Sequence, residues 1–224
     1  MLNERLIGIL ADSFPKILIP GLLYTLPLTA ISFALALVIA TITALIQYAD
    51  VKVLRKAARF YIWIIRGTPL LVQLFVVFYG LGQLGILLSP FTAGVLTFSI
   101  NEGAYSAEIM RSALEAVPRG QLEAGECVGM TYPQVIRRIV LPQAMRTAFP
   151  PLSNSLIAMM KDTSLLANIT VAEMFMAAQR IVARTYEPLA IYIEVGVIYL
   201  IFSTVLTKLQ AVGEKKLGRY QARN

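Results

Sequence analysis

The 224-residue chain has no histidine and a single cysteine, and these shortages exclude several kinds of chemistry. Without histidine the chain cannot carry a Ser-His-Asp triad or a His-ligated zinc ion. Cys127 alone cannot form an internal disulfide or a multi-thiolate metal site, and we expect it to be a packing residue. No G-x-x-x-x-G-K-S/T string occurs, so the chain lacks a P-loop. We therefore expect no enzyme activity, no cofactor and no metal in this chain.

Charged residues are also scarce. They make up 15% of the chain, against about 25% in soluble domains, while hydrophobic residues make up 57% and the mean hydropathy is +0.69. Two stretches, 17–49 and 67–101, contain no Asp, Glu, Lys or Arg. Because about 20 apolar helical residues cross a hydrocarbon layer of about 30 Å, these stretches predict a polytopic protein embedded in a lipid bilayer.

The hydrophobic pattern predicts an all-α protein with about five transmembrane helices. Their approximate ranges are 17–48 or 22–48, 60–82, 91–111, 149–171 and 188–206. In the second range, Arg66-Gly67-Thr68-Pro69 predicts a break, since glycine and proline both interrupt helices. In the first range, Pro20, Gly21 and Pro27 predict a bend or a delayed start. The whole chain, 1–224, is expected to form one transmembrane domain.

The distribution of basic residues predicts the orientation in the membrane. Fourteen of the twenty Lys and Arg residues fall in one set of connections and in the C-terminal segment, and four fall in the opposite set. Cytoplasmic loops collect Lys and Arg, so we expect the N-terminus outside and the C-terminus inside. This asymmetry explains the sequence pI of about 9.6 without a nucleic-acid partner.

The longest predicted cytoplasmic connection, 115–142, has an ordered pattern for a loop. Its first half predicts a short helix from 115 to Gly129, a residue suited to the left-handed conformation after a helix. Thr131 fits the N-cap of a second helix, and Gln134 completes a capping box. We expect this second helix to end at Leu141-Pro142. Two capped helices joined by a tight turn form a rigid protrusion that another protein can grip.

This loop resembles the cytoplasmic motif of permease subunits of ATP-binding-cassette (ABC) importers, written E-A-A-x3-G-x9-I-x-L-P. The matching residues are Glu123-Ala124-Gly125, Gly129 and Ile139-Val140-Leu141-Pro142. One residue departs from the motif: Gly125 replaces the second alanine. Because glycine costs about 0.5–1 kcal/mol relative to alanine within a helix, this change predicts a looser helix.

Four further segments resemble the polar amino acid branch of that family, which handles histidine, arginine, glutamate, glutamine or cystine. They are Arg66-Gly67-Thr68-Pro69, Gly103-Ala104-Tyr105-Ser106-Ala107-Glu108, Leu141-Pro142-Gln143-Ala144 and Lys161-Asp162-Thr163-Ser164-Leu165. The resemblance implies a type I (MetI-like) importer permease in the bacterial inner membrane. It also implies partners: a second permease copy or paralogue, two ATPase subunits, an extracytoplasmic solute-binding protein and a polar amino acid substrate.

The resemblance assigns contact with the ATPase to the loop. The residues concerned are Glu123, Ala124, Gly125, Gly129, Met130 and Thr131. Glu123 is expected to pair with a basic group on the ATPase, while Ala124 and Gly125 permit close backbone approach. For Glu126 we expect only a solvated charge.

Polar residues at membrane depth are the candidates for the substrate pathway, because ionisable groups there are costly unless paired or facing water. Asp162, Thr163 and Ser164 match the ends of a zwitterionic amino acid, or they bind neighbouring helices and shape the pathway. Glu102 and Arg66 are further candidates. Two other groups have plainer interpretations. Glu108 and Arg111 are spaced for an i,i+3 ion pair, and Glu194 has no local partner in the sequence.

A second function remains open at this point. A self-contained ion-coupled amino acid transporter would use Glu102 and Asp162 as titrating groups and would need no ATPase. That alternative leaves the ordered loop unexplained, and the chain shows no inverted repeat of the kind such transporters carry. The residues leave open which amino acid is carried and whether the two permeases are identical.

Overall fold

The computed structural model describes residues 2–48 and 51–218, and every regular element within them is helical. The α-helices are α1 (Leu2–Pro20), α2 (Leu26–Tyr48), α3 (Lys52–Arg66), α4 (Leu70–Phe75), α5 (Leu81–Gln83), α6 (Pro90–Glu115), α7 (Arg119–Cys127), α8 (Tyr132–Val135), α9 (Leu141–Asp162), α10 (Met174–Thr185) and α11 (Pro188–Gly218). Three π turns, Gly21–Thr25, Val76–Gly80 and Ile136–Val140, and a 3₁₀ segment, Thr163–Ile169, complete the regular structure of the described residues.

The first helical stretch begins earlier than the sequence predicts and passes through its prolines. Helix α1 continues through the π turn into α2, so the expected delay near Pro20 and Pro27 is wrong. The π turn lies between the two prolines, and the chain stays helical through it. Gly21 opens this turn where the chain packs closely, because an added Cβ would lie 2.6 Å from Met174 Sδ.

Two stretches of the described chain, Glu4–Tyr48 and Pro188–Leu217, are long and apolar enough to cross a membrane as single helices. Up to four spans result if each of two bent pairs also counts as one, namely α3 with α4–α5 and the 132–169 stretch with α10. Helix α6 coincides with the third predicted span and has 26 residues, but its sequence is less apolar than those of the two stretches named above.

The second and fourth predicted spans both contain breaks. The predicted break after Arg66 is confirmed: α3 ends there, and α4 starts after Pro69, whose backbone is extended. The expectation that a helix ends at Leu141-Pro142 is wrong, because the π turn before Leu141 leads directly into α9. The helical chain therefore continues through Pro142. The fourth span is not continuous to 171, since α9 ends at Asp162 and a bend of 52° separates this stretch from α10.

One of two compact units comprises the described parts of 1–34, 69–98 and 156–207. Its interior contains two apolar clusters. The first includes Ile17, Met160, Met174, Ile191, Ile198 and Phe202. The second includes Leu28, Leu74, Phe98, Met159, Leu166 and Ile169. Each cluster includes a residue near the end of α9, and the second also includes Leu166 and Ile169, so the segment that follows Asp162 is held by a packed core.

The other unit comprises the described parts of 35–68, 99–155 and 208–224. Its larger apolar cluster includes Ala113, Leu114, Val117, Val135, Val140, Ala144 and Ala148. A smaller cluster joins Ala40, Ile62, Ala104 and Ala107. The larger cluster lies under the loop with the importer motif, so this loop is packed onto the unit that carries it.

Candidate functional site

The backbone of the 115–142 loop is fixed at the turn between α7 and α8. Gly129 has a φ of +80°, in the left-handed region. The amides of Gly129 and Met130 donate to the carbonyls of Glu126 (2.9 Å) and Gly125 (3.1 Å). The amide of Thr131 donates to Gln134 Oε1 at 2.9 Å, within the capping box that the sequence predicts. The turn and the cap are therefore confirmed, although the first helix begins at Arg119 rather than at 115.

Gly125 lies where α7 packs on the chain that follows the turn. It is buried, and a Cβ added there would lie 2.8 Å from Val135 Cγ2 and 3.1 Å from Ile139 Cδ1. Glycine therefore permits a closer approach than alanine would. The glycine that helix propensity predicts to loosen the helix is thus favoured by the close packing of the loop.

The outer surface of this loop exposes a patch that we call the docking patch: Glu123, Ala124, Val128 and Tyr132. Val128 is 76% exposed and Tyr132 is 55% exposed, so the loop exposes two sizeable apolar groups in addition to the Glu123 carboxylate. Of the other motif residues, Gly129 and Thr131 are exposed and Met130 is half-buried. Cys127 is also exposed, so the expectation that it packs inside the loop is wrong. It is the last residue of α7.

Glu108 is the centre of a group of charges on α6. Arg111 Nη2 lies 3.0 Å from Glu108 Oε2, which confirms the predicted i,i+3 ion pair. Two other helices also reach this carboxylate: Gln47 Nε2 donates to it at 3.3 Å and Arg66 Nη1 lies 3.8 Å away. Arg111 in turn pairs with Glu115 at 2.6 Å. The group thus joins the last turn of α3 to the last turn of α6.

Arg66 and Glu102, two predicted pathway residues, each have a partner within their own unit. Besides its contact with Glu108, Arg66 places its guanidinium 5.2 Å from the centre of the Tyr105 ring. Glu102 is buried and accepts a hydrogen bond of 2.6 Å from Ser106. These contacts offset part of the free-energy cost of placing each charged residue at membrane depth.

The structure places the remaining pathway candidates at the end of α9 rather than inside a continuous helix. Lys161 and Asp162 are exposed and lie where the α-helix gives way to the 3₁₀ segment. Thr163 is fully buried, and its hydroxyl donates to the carbonyl of Met160 at 2.7 Å. Ser164 is half-buried. A carboxylate and a hydroxyl therefore lie at a helix break in the unit that contains them.

Sequence reasoning missed Glu173, which is 1% exposed and caps α10. Its carboxylate accepts hydrogen bonds from the amides of Phe175 and Met176, both at 2.7 Å, and from the hydroxyl of Tyr199 at 3.1 Å. The apolar residues of α10 recur at helical spacing and are the signal that would have found this helix. The partner of Glu194 was also missed: it is Ser13, 181 residues away, whose hydroxyl donates to the carboxylate.

Comparison with known proteins identifies the family. Residues 36–219 match the family described as binding-protein-dependent transport system inner membrane component. The chain belongs to this family. It is a multi-pass protein of the bacterial inner membrane and a permease of the ABC importer type. Membership implies separate ATPase and substrate-binding partners.

Individual relatives support this assignment over the ion-coupled alternative. The permease is 47% identical over 213 residues to the L-cystine transport system permease protein TcyB of Bacillus subtilis, with 95% of this chain and 91% of TcyB covered. It is 35% identical to the nopaline transport system permease protein NocM of Agrobacterium fabrum, with 93% and 90% covered.

Solved structures support the fold. The crystal structure of an amino acid ABC transporter with histidines matches with a TM-score of 0.86 and 35% identity, covering 92% of this chain and 96% of the other. An inward-facing structure of the MetNI methionine ABC transporter matches with a TM-score of 0.76 at 18% identity, covering 90% and 96%. The permease thus has the predicted MetI-like fold.

Proposed function

We propose that this permease forms half of the pathway by which a polar amino acid enters the cell, and that L-cystine is the first substrate to test. Two observations support the substrate class: the 47% identity to a permease named for L-cystine, and a carboxylate and a hydroxyl at the break after α9. In the proposed arrangement the N-terminus is outside, the C-terminus is inside, and a second permease copy or paralogue completes the pathway. Two ATPase subunits and an extracytoplasmic solute-binding protein complete the importer.

The proposed coupling of the permease to its ATPase rests on one observation, the rigid loop that exposes the docking patch. Its turn is fixed by the Gly129 and Met130 hydrogen bonds, and its inner face is packed against Val135 through Gly125. A segment with so little internal freedom transmits displacement to α9, which follows it without a break. We propose that ATPase closure moves this loop and thereby changes which side of the membrane the pathway faces, through contacts that differ between the two states.

The coupling role is tested by reversing one charge on the patch. We expect Glu123→Lys to abolish co-purification with the ATPase and uptake into proteoliposomes, because a lysine would face the basic group that a carboxylate contacts. The matched control is Glu126→Lys, which makes the same change three residues along the same exposed helix. Uptake that is normal in the Glu123 variant, or lost equally in both variants, would contradict the assignment.

On the substrate side we propose different roles for the five predicted pathway residues. Asp162 and Ser164 face the substrate, while Thr163 holds the helix break through its bond to Met160. Glu102 and Arg66 shape the pathway through the partners they already have.

The substrate-facing role is tested by the concentration dependence of uptake. Losing a charge-assisted hydrogen bond costs about 1.5–3 kcal/mol, so we expect Asp162→Asn to raise the KM for L-cystine uptake by about 10- to 100-fold. The control is Asp12→Asn, which removes an exposed carboxylate that pairs with Lys16. An unchanged KM in the Asp162 variant would remove this residue from the pathway. Uptake of arginine or glutamate but not of L-cystine by the unaltered protein would correct the substrate alone.

A further inference from the structure

Helix α3 exposes basic side chains that the proposed function does not use. Lys52, Lys56 and Arg59 recur at i, i+4 and i+7, so they lie along one side of the helix, and all three are exposed. We call this set the basic stripe. Within residues 2–48 and 51–218 no acidic side chain forms an ion pair with any of the three. The helix packs into its unit through other positions, Ala58 and Ile62, which are buried.

Large apolar side chains are exposed next to the basic stripe. Trp63 follows Arg59 by four residues, so it continues the same side of the helix about 6 Å further along the axis. Trp63 is 71% exposed and Phe60 is 60% exposed, and their ring centres are 5.9 Å apart. Val53, beside the stripe, is 77% exposed. One surface of α3 therefore changes from basic to aromatic within about one helical turn.

This sequence of groups matches the layers of a membrane surface. Lysine and arginine are attracted to anionic headgroups, and tryptophan is enriched where the headgroups meet the acyl chains. An acidic protein surface would satisfy the charges of the stripe but would gain nothing specific from Trp63 and Phe60. A layer of anionic phospholipid satisfies both parts of the surface at once.

We propose that the basic stripe and Trp63 form a binding site for anionic phospholipid, with the phosphodiester headgroups at Lys52, Lys56 and Arg59 and the acyl chains against Trp63. Each basic residue near an anionic membrane surface favours binding about 5-fold, so the three together favour an anionic over a zwitterionic lipid by up to about 100-fold.

The chain supplies its own probe for this site, because Trp63 is its only tryptophan. The full-length permease is reconstituted into vesicles of phosphatidylcholine that contain increasing fractions of brominated phosphatidylglycerol, and then into the reverse mixture. Bromine quenches tryptophan fluorescence at short range, so the two titrations give the relative affinity for the two headgroups. We expect quenching at much lower mole fractions of the brominated anionic lipid, and we expect this preference to weaken in high salt.

Variants separate the stripe from the rest of the positive charge. The triple variant Lys52→Gln, Lys56→Gln, Arg59→Gln should quench equally with both brominated lipids. Lys215→Gln with Lys216→Gln removes two exposed lysines from α11 and should leave the preference intact. The salt titration of the unaltered protein needs no variant, so a misfolded triple variant does not block the test.

Three results would overturn the proposal. Trp63 fluorescence that neither brominated lipid quenches would show that protein covers this surface. Quenching without headgroup preference in the unaltered protein would reduce the site to ordinary lipid contact. A triple variant that keeps its lipid preference but no longer co-purifies with the ATPase would assign the stripe to an acidic protein surface instead.

Discussion

The packing of Gly125 yields a prediction that opposes the family motif. Gly125→Ala restores the second alanine of E-A-A and gains about 0.5–1 kcal/mol of helix propensity. The added Cβ, however, would lie 2.8 Å from Val135 Cγ2, which is 0.6 Å inside the 3.4 Å at which ordinary contact begins. Overpacking of a filled site costs about 1–3 kcal/mol. We therefore expect a net loss of about 1 kcal/mol in the local stability of the loop.

Hydrogen exchange measures this loss at the affected amides. The amides of Gly129 and Met130 close the turn on the carbonyls of Glu126 and Gly125. When exchange proceeds through a local opening equilibrium, a loss of about 1 kcal/mol in the stability of the turn should speed the exchange of these amides about 5-fold. The experiment uses the permease in nanodiscs and reads the peptide that covers the turn. Uptake should fall in parallel, because a looser loop transmits less displacement.

A control and a rescue isolate the cause. Gly120 lies on the same helix with no other atom within 4 Å of an added Cβ, so Gly120→Ala should leave exchange unchanged or slow it slightly. Replacing Val135 by alanine in the Gly125→Ala background removes the clashing methyl group, so the two changes should cost less together than their sum. Slower exchange in the Gly125→Ala variant, or strict additivity in the double variant, would refute the packing explanation.

Three further predictions follow from other parts of the permease. Glu108→Gln removes the charge that Arg111 contacts and should lower the melting temperature of the reconstituted protein by a few degrees. Glu115→Gln, at the more exposed end of the group, is the control and should have a smaller effect. Equal effects of the two changes would show that Glu108 is not the centre of the group. Cys127 is exposed and is the single cysteine, so a membrane-impermeant maleimide should label it only in inside-out vesicles; labelling of right-side-out vesicles would reverse the proposed orientation. Glu173→Gln leaves one of two buried amides without a full acceptor and should cost about 1–3 kcal/mol in unfolding free energy; a loss below about 0.5 kcal/mol would show that water replaces the carboxylate.

Sequence alone predicted those features of the fold that depend on neighbouring residues. The turn at Gly129, the capping box at Thr131 and the ion pair from Glu108 to Arg111 each involve residues three to five positions apart. Local chemistry decides such features, so spacing is sufficient evidence for them. The break after Arg66 is of the same kind.

Features that depend on distant residues were missed or mispredicted. The partner of Glu194 lies 181 residues away, and Tyr199 reaches Glu173 across 26 residues, so no local pattern indicates either contact. The expected delay near Pro20 and the expected helix end at Pro142 were wrong for a related reason. A π turn follows Pro20 and another precedes Leu141-Pro142, and the chain stays helical past each proline, whereas spacing gives no signal for such turns. The close approach of Gly125 to Val135 likewise appears only once the chain is folded.

Helix α6 shows why polar residues within a predicted span are an incomplete guide to the substrate. Its Thr97 hydroxyl donates to the carbonyl of Ala93 at 2.8 Å, and Ser106 donates to Glu102 at 2.6 Å. Together with the pair from Glu108 to Arg111, these bonds satisfy polar groups within the helix itself, which lowers the cost of placing them among apolar neighbours. These groups already have partners in the folded chain, so their polarity alone does not assign them to the substrate. Asp162 lies exposed at a helix end instead, which is why the proposed function gives the substrate-facing role to Asp162 and not to these residues.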